Sequence, residues 1–89
     1  MAAQTEASFP LPRVHMNGTS RTMLQEGYLK AHDAVEMAVG DLAAVEFNAR
    51  DYYVISDDAF VKARAKRDEM LVKLREVQQY LEAHLQELY

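Results

Sequence analysis

Two long heptad-like apolar patterns, separated by about ten residues, restrict this chain more than any other feature of it. The first runs through Leu24, Tyr28, Ala31, Val35, Ala38, Leu42 and Val45. Steps of four and three alternate, which places all seven side chains on one stripe of an α-helix. The second runs through Phe60, Ala63, Arg67, Met70, Leu74, Val77, Leu81, His84 and Leu88 with the same alternation. Leu71 and Leu85 widen it on one side, and a wider face is what a helix in a bundle needs. The fold expected is all-α: an antiparallel two-helix hairpin, helix 1 about 21–47, a connection 48–57 and helix 2 about 58–88. Only three Gly and two Pro interrupt 89 residues, in keeping with long helices.

The ends of these elements carry their own signals. Pro10 and Pro12 fix an extended stretch in FPLPR, so residues 1–14 are expected as a flexible N-terminal tail, on which Phe9 and Leu11 offer apolar anchors to the domain 15–89. Asn17-Gly18 signals a turn, and Thr19 or Ser20 offers a cap to helix 1. Asn48 is expected to end helix 1 in the left-handed conformation, and Ser56, Asp57 or Asp58 to cap helix 2.

Two helices alone hide little apolar surface. No Cys is present to staple them, and a single small core of this size supplies about 3–5 kcal/mol at most. Association is the remaining remedy, so two hairpins are expected to meet as a homodimeric four-helix bundle. The face assigned to self-association is Leu24, Tyr28, Val35 and Leu42 on helix 1, with Met70, Leu71, Leu74, Val77, Leu81 and Leu85 on helix 2. Gly27, Ala31, Ala34 and Ala38 form a small-residue face along helix 1 that admits a partner backbone. Arg67 and His84 are polar residues on the seam, where such groups fix register and partner number.

The chemistry-bearing residue types are sparse. His15, His32 and His84 are scattered over three segments, and although His32 and Glu36 lie one turn apart, no Glu precedes any His by three positions. No metal, cofactor or catalytic residue is assigned, and no enzyme activity is expected. The run Lys62, Arg64, Lys66 and Arg67 is the candidate nucleic-acid contact, on the alternative reading of a small accessory nucleic-acid-binding protein. The net charge of −4 and the acidic pair Asp68-Glu69 weigh against it. The longest clean apolar run is LAAV, residues 42–45, far short of the roughly 20 residues a membrane helix needs. The expected location is the cytoplasm.

Tyr52 and Tyr53 stand in the connection, followed by Val54 and Ile55. They are read first as rings that fold back on Phe47 and Phe60 to close the hairpin end, and second as an exposed contact for another protein. Alternation in YYVIS also permits a short extended segment. The pieces His15-x-Asn17-Gly18-Thr19-Ser20 and Arg50-Asp51-Tyr52-Tyr53 resemble those of small uncharacterised helical proteins of bacteria and their phages, over about residues 14–89. Ala49 stands where that pattern has Gly. The resemblance implies a phage or prophage context and no particular activity. It also prompts a geometric expectation: an antiparallel dimer brings Asn17 and Thr19 of one chain beside Arg50 and Tyr52 of the other. On this reading the protein is a non-enzymatic, self-associating structural or adaptor protein.

Overall fold

The computed structural model describes residues 9–89, and they fold as an antiparallel pair of helices. Helix α1 is Arg21–Ala43 and helix α2 is Ala59–Leu88, with a single 3-10 turn at Ala49–Asp51 between them. No strand occurs among the described residues.

Helix α1 starts where its chemistry demands. The turn before it closes with the Gly18 amide donating to the His15 carbonyl at 3.1 Å. Ser20 is extended, and its hydroxyl oxygen accepts from the Met23 amide at 3.2 Å. That satisfies one of the free donors of the first turn, a contribution of about 1 kcal/mol. Asp58 occupies the cap position of α2, but its side chain accepts no backbone amide there. Its carboxylate is taken by the Ser56 hydroxyl at 2.9 Å and the Lys62 ammonium at 3.0 Å.

Helix α1 ends four residues before the expected 47, and two before the last seam position, Val45. Ala44 is its C-terminal cap, and its amide still reaches the Gly40 carbonyl. The chain then leaves the helix, so Val45 is exposed and Phe47 swings into contact with Phe60. Asn48 does not take the left-handed conformation. It is extended (φ −146°, ψ 173°), and its amide donates to the Asp51 carboxylate at 2.8 Å, which starts the 3-10 turn. The YYVIS stretch curls rather than extends, with the Ile55 amide bonded to the Tyr52 carbonyl at 2.9 Å.

The seam between the helices drifts from a strict heptad. On α1 the half-buried apolar residues are Leu24, Tyr28, Ala31, Val35, Val39 and Leu42. They span 18 residues in five steps, the 3.6 spacing of a straight helix rather than the 3.5 of a supercoil. Val39 therefore takes the place expected for Ala38, and on α2 the half-buried residue is Gln78 rather than Val77.

Full burial is confined to one end. Among the described residues only Leu81, His84 and Leu88 are buried, all in the last turns of α2. There α1 pins its partner. Arg21 Nη1 and Gln25 Nε2 both donate to the Leu88 carbonyl, at 2.7 and 2.8 Å. That carbonyl lies at the helix C-terminus and has no intrahelical partner. A cation there also suits the negative end of the α2 dipole. The stretch expected as a tail takes part from Phe9 on. The Phe9 ring lies 4.9 Å from Tyr80 and stacks on His84 at 5.7 Å. Residues 1–8 of the expected tail lie outside the described residues.

Because Arg21 and Gln25 share one acceptor, each substitutes for the other. Arg21→Ala and Gln25→Ala are each expected to destabilise by about 0.5 kcal/mol, and the double variant by more than the sum, with a coupling of about 0.5 kcal/mol or above. Urea unfolding of the four chains at one fixed protein concentration checks this, and simple additivity contradicts it.

Candidate functional site

The two ends of the hairpin carry different surfaces. At the connection, Phe47, Tyr52 and Phe60 form a ring cluster with centroid distances of 6.0, 5.5 and 6.1 Å. Two guanidinium groups close it from α2: Arg67 lies 5.0 Å from the centre of the Phe47 ring and Arg64 lies 5.6 Å from that of Phe60. A cation over an aromatic face is attracted by the ring quadrupole. The seam position of Arg67 is thus explained within one chain. Its side chain is half-buried, its guanidinium covers Phe47, and its Nε donates to Asp68 at 2.9 Å.

The two tyrosines part company here. Tyr52 is half-buried in the cluster, whereas Tyr53 is 69% exposed. Val54 and Ile55 follow it outward at 75% and 70%. The connection is therefore a lid on one side and, on the other, three consecutive large apolar side chains in solvent. Arg50 is exposed beside them.

Asn17 and Thr19 lie at the opposite end, exposed, before α1 begins. The 23 residues of α1 separate them from Arg50 and Tyr52, about 34 Å at 1.5 Å per residue. A single chain does not bring these four groups together.

The basic run is largely neutralised by its own helix. Lys62 pairs with Asp58 at 3.0 Å, Lys66 with Glu69 at 3.5 Å and Arg67 with Asp68 at 2.9 Å. Lys73 also reaches Glu69, at 3.6 Å. These pairs are exposed except for Arg67, and such pairs contribute little to stability. Their effect is on charge: three of the four cations expected to meet phosphate already face a carboxylate. The Lys62 ammonium, and secondarily the Ser56 hydroxyl, hold the Asp58 carboxyl below its ordinary value of 3.8.

The residues assigned to self-association sit mostly within the hairpin itself. Leu81 is buried. Leu24, Tyr28, Val35, Leu42, Met70, Leu71, Leu74 and Leu85 are half-buried, and Val77 is exposed. His84 is 3% exposed and has its polar needs met: Nδ1–H donates to the Tyr80 carbonyl at 2.8 Å, and the ring stacks on Tyr28 at 4.3 Å. Sequence spacing placed His84 on the seam and offered Phe9 as an anchor, but did not pair the two; Phe9 is the third ring against His84, after Tyr28 and Tyr80. The proximity of an aromatic residue to two prolines was the available signal.

On the flank of α1, the ligand atoms of His32, Asp33 and Glu36 lie within 4.8 Å of one another. A carboxylate can only accept, so His32 Nε2–H donates to Glu82 across the helix pair, at 3.1 Å. Asp33 and Glu36 are exposed. The arrangement links α1 to α2 and leaves the two acidic side chains hydrated. No family model, curated protein or solved structure matches this chain.

Two predictions separate the roles at this end. Tyr52→Ala removes a packed ring and is expected to destabilise by about 1–2 kcal/mol, while Tyr53→Ala stays within about 0.5 kcal/mol; thermal unfolding of both variants decides. Asp58 has a depressed folded-state pKa, so its contribution is present above the ordinary 3.8 and is lost as pH falls through the lower folded value. Carbon-detected titration is expected to place the Asp58 midpoint below 3.8 and to return it upward in Lys62→Met.

Proposed function

We propose that this protein is a non-enzymatic helical adaptor or structural protein that works as a self-associated unit, a homodimer of hairpins, in a phage or prophage context. The observation that carries the reading is the poverty of the core: two helices of 23 and 30 residues bury three side chains among the described residues. A hairpin with so little apolar surface hidden falls short of the burial that stabilises a small domain alone. The total accessible surface is 6953 Å² for a 10.2 kDa chain, against about 5,300 Å² for a typical folded monomer of that mass. Taking residues 1–8, which lie outside the described residues, out of both figures removes at most about 1,100 Å² from the total and about 300 Å² from the reference. The surplus that remains is at least about 800 Å², the area that each partner contributes to a standard interface.

The adaptor half of the reading rests on the connection. Tyr53, Val54 and Ile55 point into solvent, next to a cluster that holds their backbone in place. Exposed aromatic and β-branched side chains on a supported loop suit contact with another protein. The context rests on the resemblance of the HMNGTS and RDYY pieces. The Lys62–Arg67 stretch is poorly placed for phosphate, since Lys62, Lys66 and Arg67 face carboxylates and Arg64 lies over Phe60.

Light scattering across a dilution series, at low and high salt, tests the association. The expected mass is twice 10.2 kDa at both salt concentrations, because burial of apolar surface is not screened. A folded monomer throughout would refute the reading, and a dimer that falls apart in salt would assign the contact to charge.

A further inference from the structure

A shallow apolar groove lies along α1 at the end where the helices are pinned. Met23, Leu24, Gly27, Tyr28, Ala31 and Leu81 line about 310 Å³ of open space. None of the six is charged. Gly27 stands in the middle of it, and a side-chain carbon built there would meet nothing within 4 Å. Glycine inside a helix costs about 1 kcal/mol relative to alanine. The hairpin's own packing makes no use of that missing carbon. A glycine of this kind is explained by the close approach of another backbone.

We propose that α1 of a second copy fills this groove, with the two α1 helices antiparallel about a two-fold axis. The proposal rests on the self-association reading and names its face. Three observations support a second copy as the occupant. The surface in excess of a folded monomer is of the size one dimer interface removes. The stripe is complementary to itself, as a two-fold contact must be: Met23 projects, 65% exposed, while Gly27, Ala31, Ala34 and Ala38 follow along the same side as hollows. Reversing the direction of the partner helix sets each flexible thioether over the other chain's small residues, the kind of gap Met fills. The apolar lining also continues onto Leu81 of α2, so an incoming helix touches both helices of the hairpin and completes a four-helix layer.

Gly27→Glu is the decisive variant. In the isolated hairpin the new side chain stands in open space, and glutamate favours the helix, so the fold is kept. In the dimer it puts a carboxylate into an apolar contact. Sedimentation equilibrium on the full chain is expected to show the dimer dissociation constant raised at least tenfold, with helical circular dichroism at high concentration unchanged. Leu29→Glu serves as the control. It lies two residues on, about 200° around α1, is already exposed, and is expected to change the constant by less than twofold. A wild-type chain that stays monomeric overturns both this proposal and the reading it rests on. A wild-type dimer that survives Gly27→Glu overturns only the choice of face, and returns the groove to residues 1–8 of the same chain or to a different protein.

Discussion

One carbonyl oxygen holds the hairpin shut. The Leu88 oxygen sits at the C-terminus of α2, where the helix can supply no amide to it, and two side chains from the first turns of α1 supply donors instead. The position of Arg21 makes sense only through this contact. A cation in the first turn of α1 opposes that helix's own dipole, but the same charge lies against the negative end of α2. Leu81, His84 and Leu88 are buried in the same turns of α2, with the His84 ring against Tyr28 and Phe9. The polar clasp and the small core therefore occupy one end of the hairpin.

The far end is held differently. Phe47, Tyr52 and Phe60 meet edge to face or tilted, and two arginines lie over them. No member of that cluster is fully buried. It joins the ends of α1 and α2 across a connection that is longer than the 2–8 residues usual between bundle helices. Between the two ends, the helices touch through a half-buried seam and one cross-helix bond, His32 to Glu82. The hairpin is thus fastened firmly at the pinned end and lightly along its length. Its open flank on α1 runs beside the firm end.

Much of this was legible in the residues, and the parts that were not have physical reasons. Helix positions came from apolar spacing, and the start of α1 from Ser20, because both are local signals. The seam was read as a heptad, yet 3.5 and 3.6 residues per turn differ by only about 20° over seven residues, so Ala38 and Val39 exchange roles without any change in pattern. The end of α1 was missed because Ala44 and Val45 carry no stop signal; the helix stops there so that Phe47 can reach Phe60. Of Ser56, Asp57 and Asp58, all offered as caps, Asp58 takes the cap position without the capping bond, because its carboxylate went to Ser56 and Lys62, which compete with the backbone at short range. Contacts such as Arg21 with Leu88 and Phe9 with His84 join residues far apart in the chain, and no periodicity announces them.

The location of the clasp also fixes the order in which the fold can be assembled. Arg21 and Leu88 are 67 residues apart in sequence, and all three buried side chains lie beyond residue 80. During synthesis, a nascent chain that has reached Tyr80 already contains α1, the connection and much of α2, but none of its core. Such an intermediate exposes two amphipathic helices with nothing to close over them. Closure waits on the final turns of α2 and then must overcome the entropy of a long loop, which grows only slowly with length. The apolar stripes are consequently on display until the last turns of α2 have been made, whatever the rest of the hairpin has already formed.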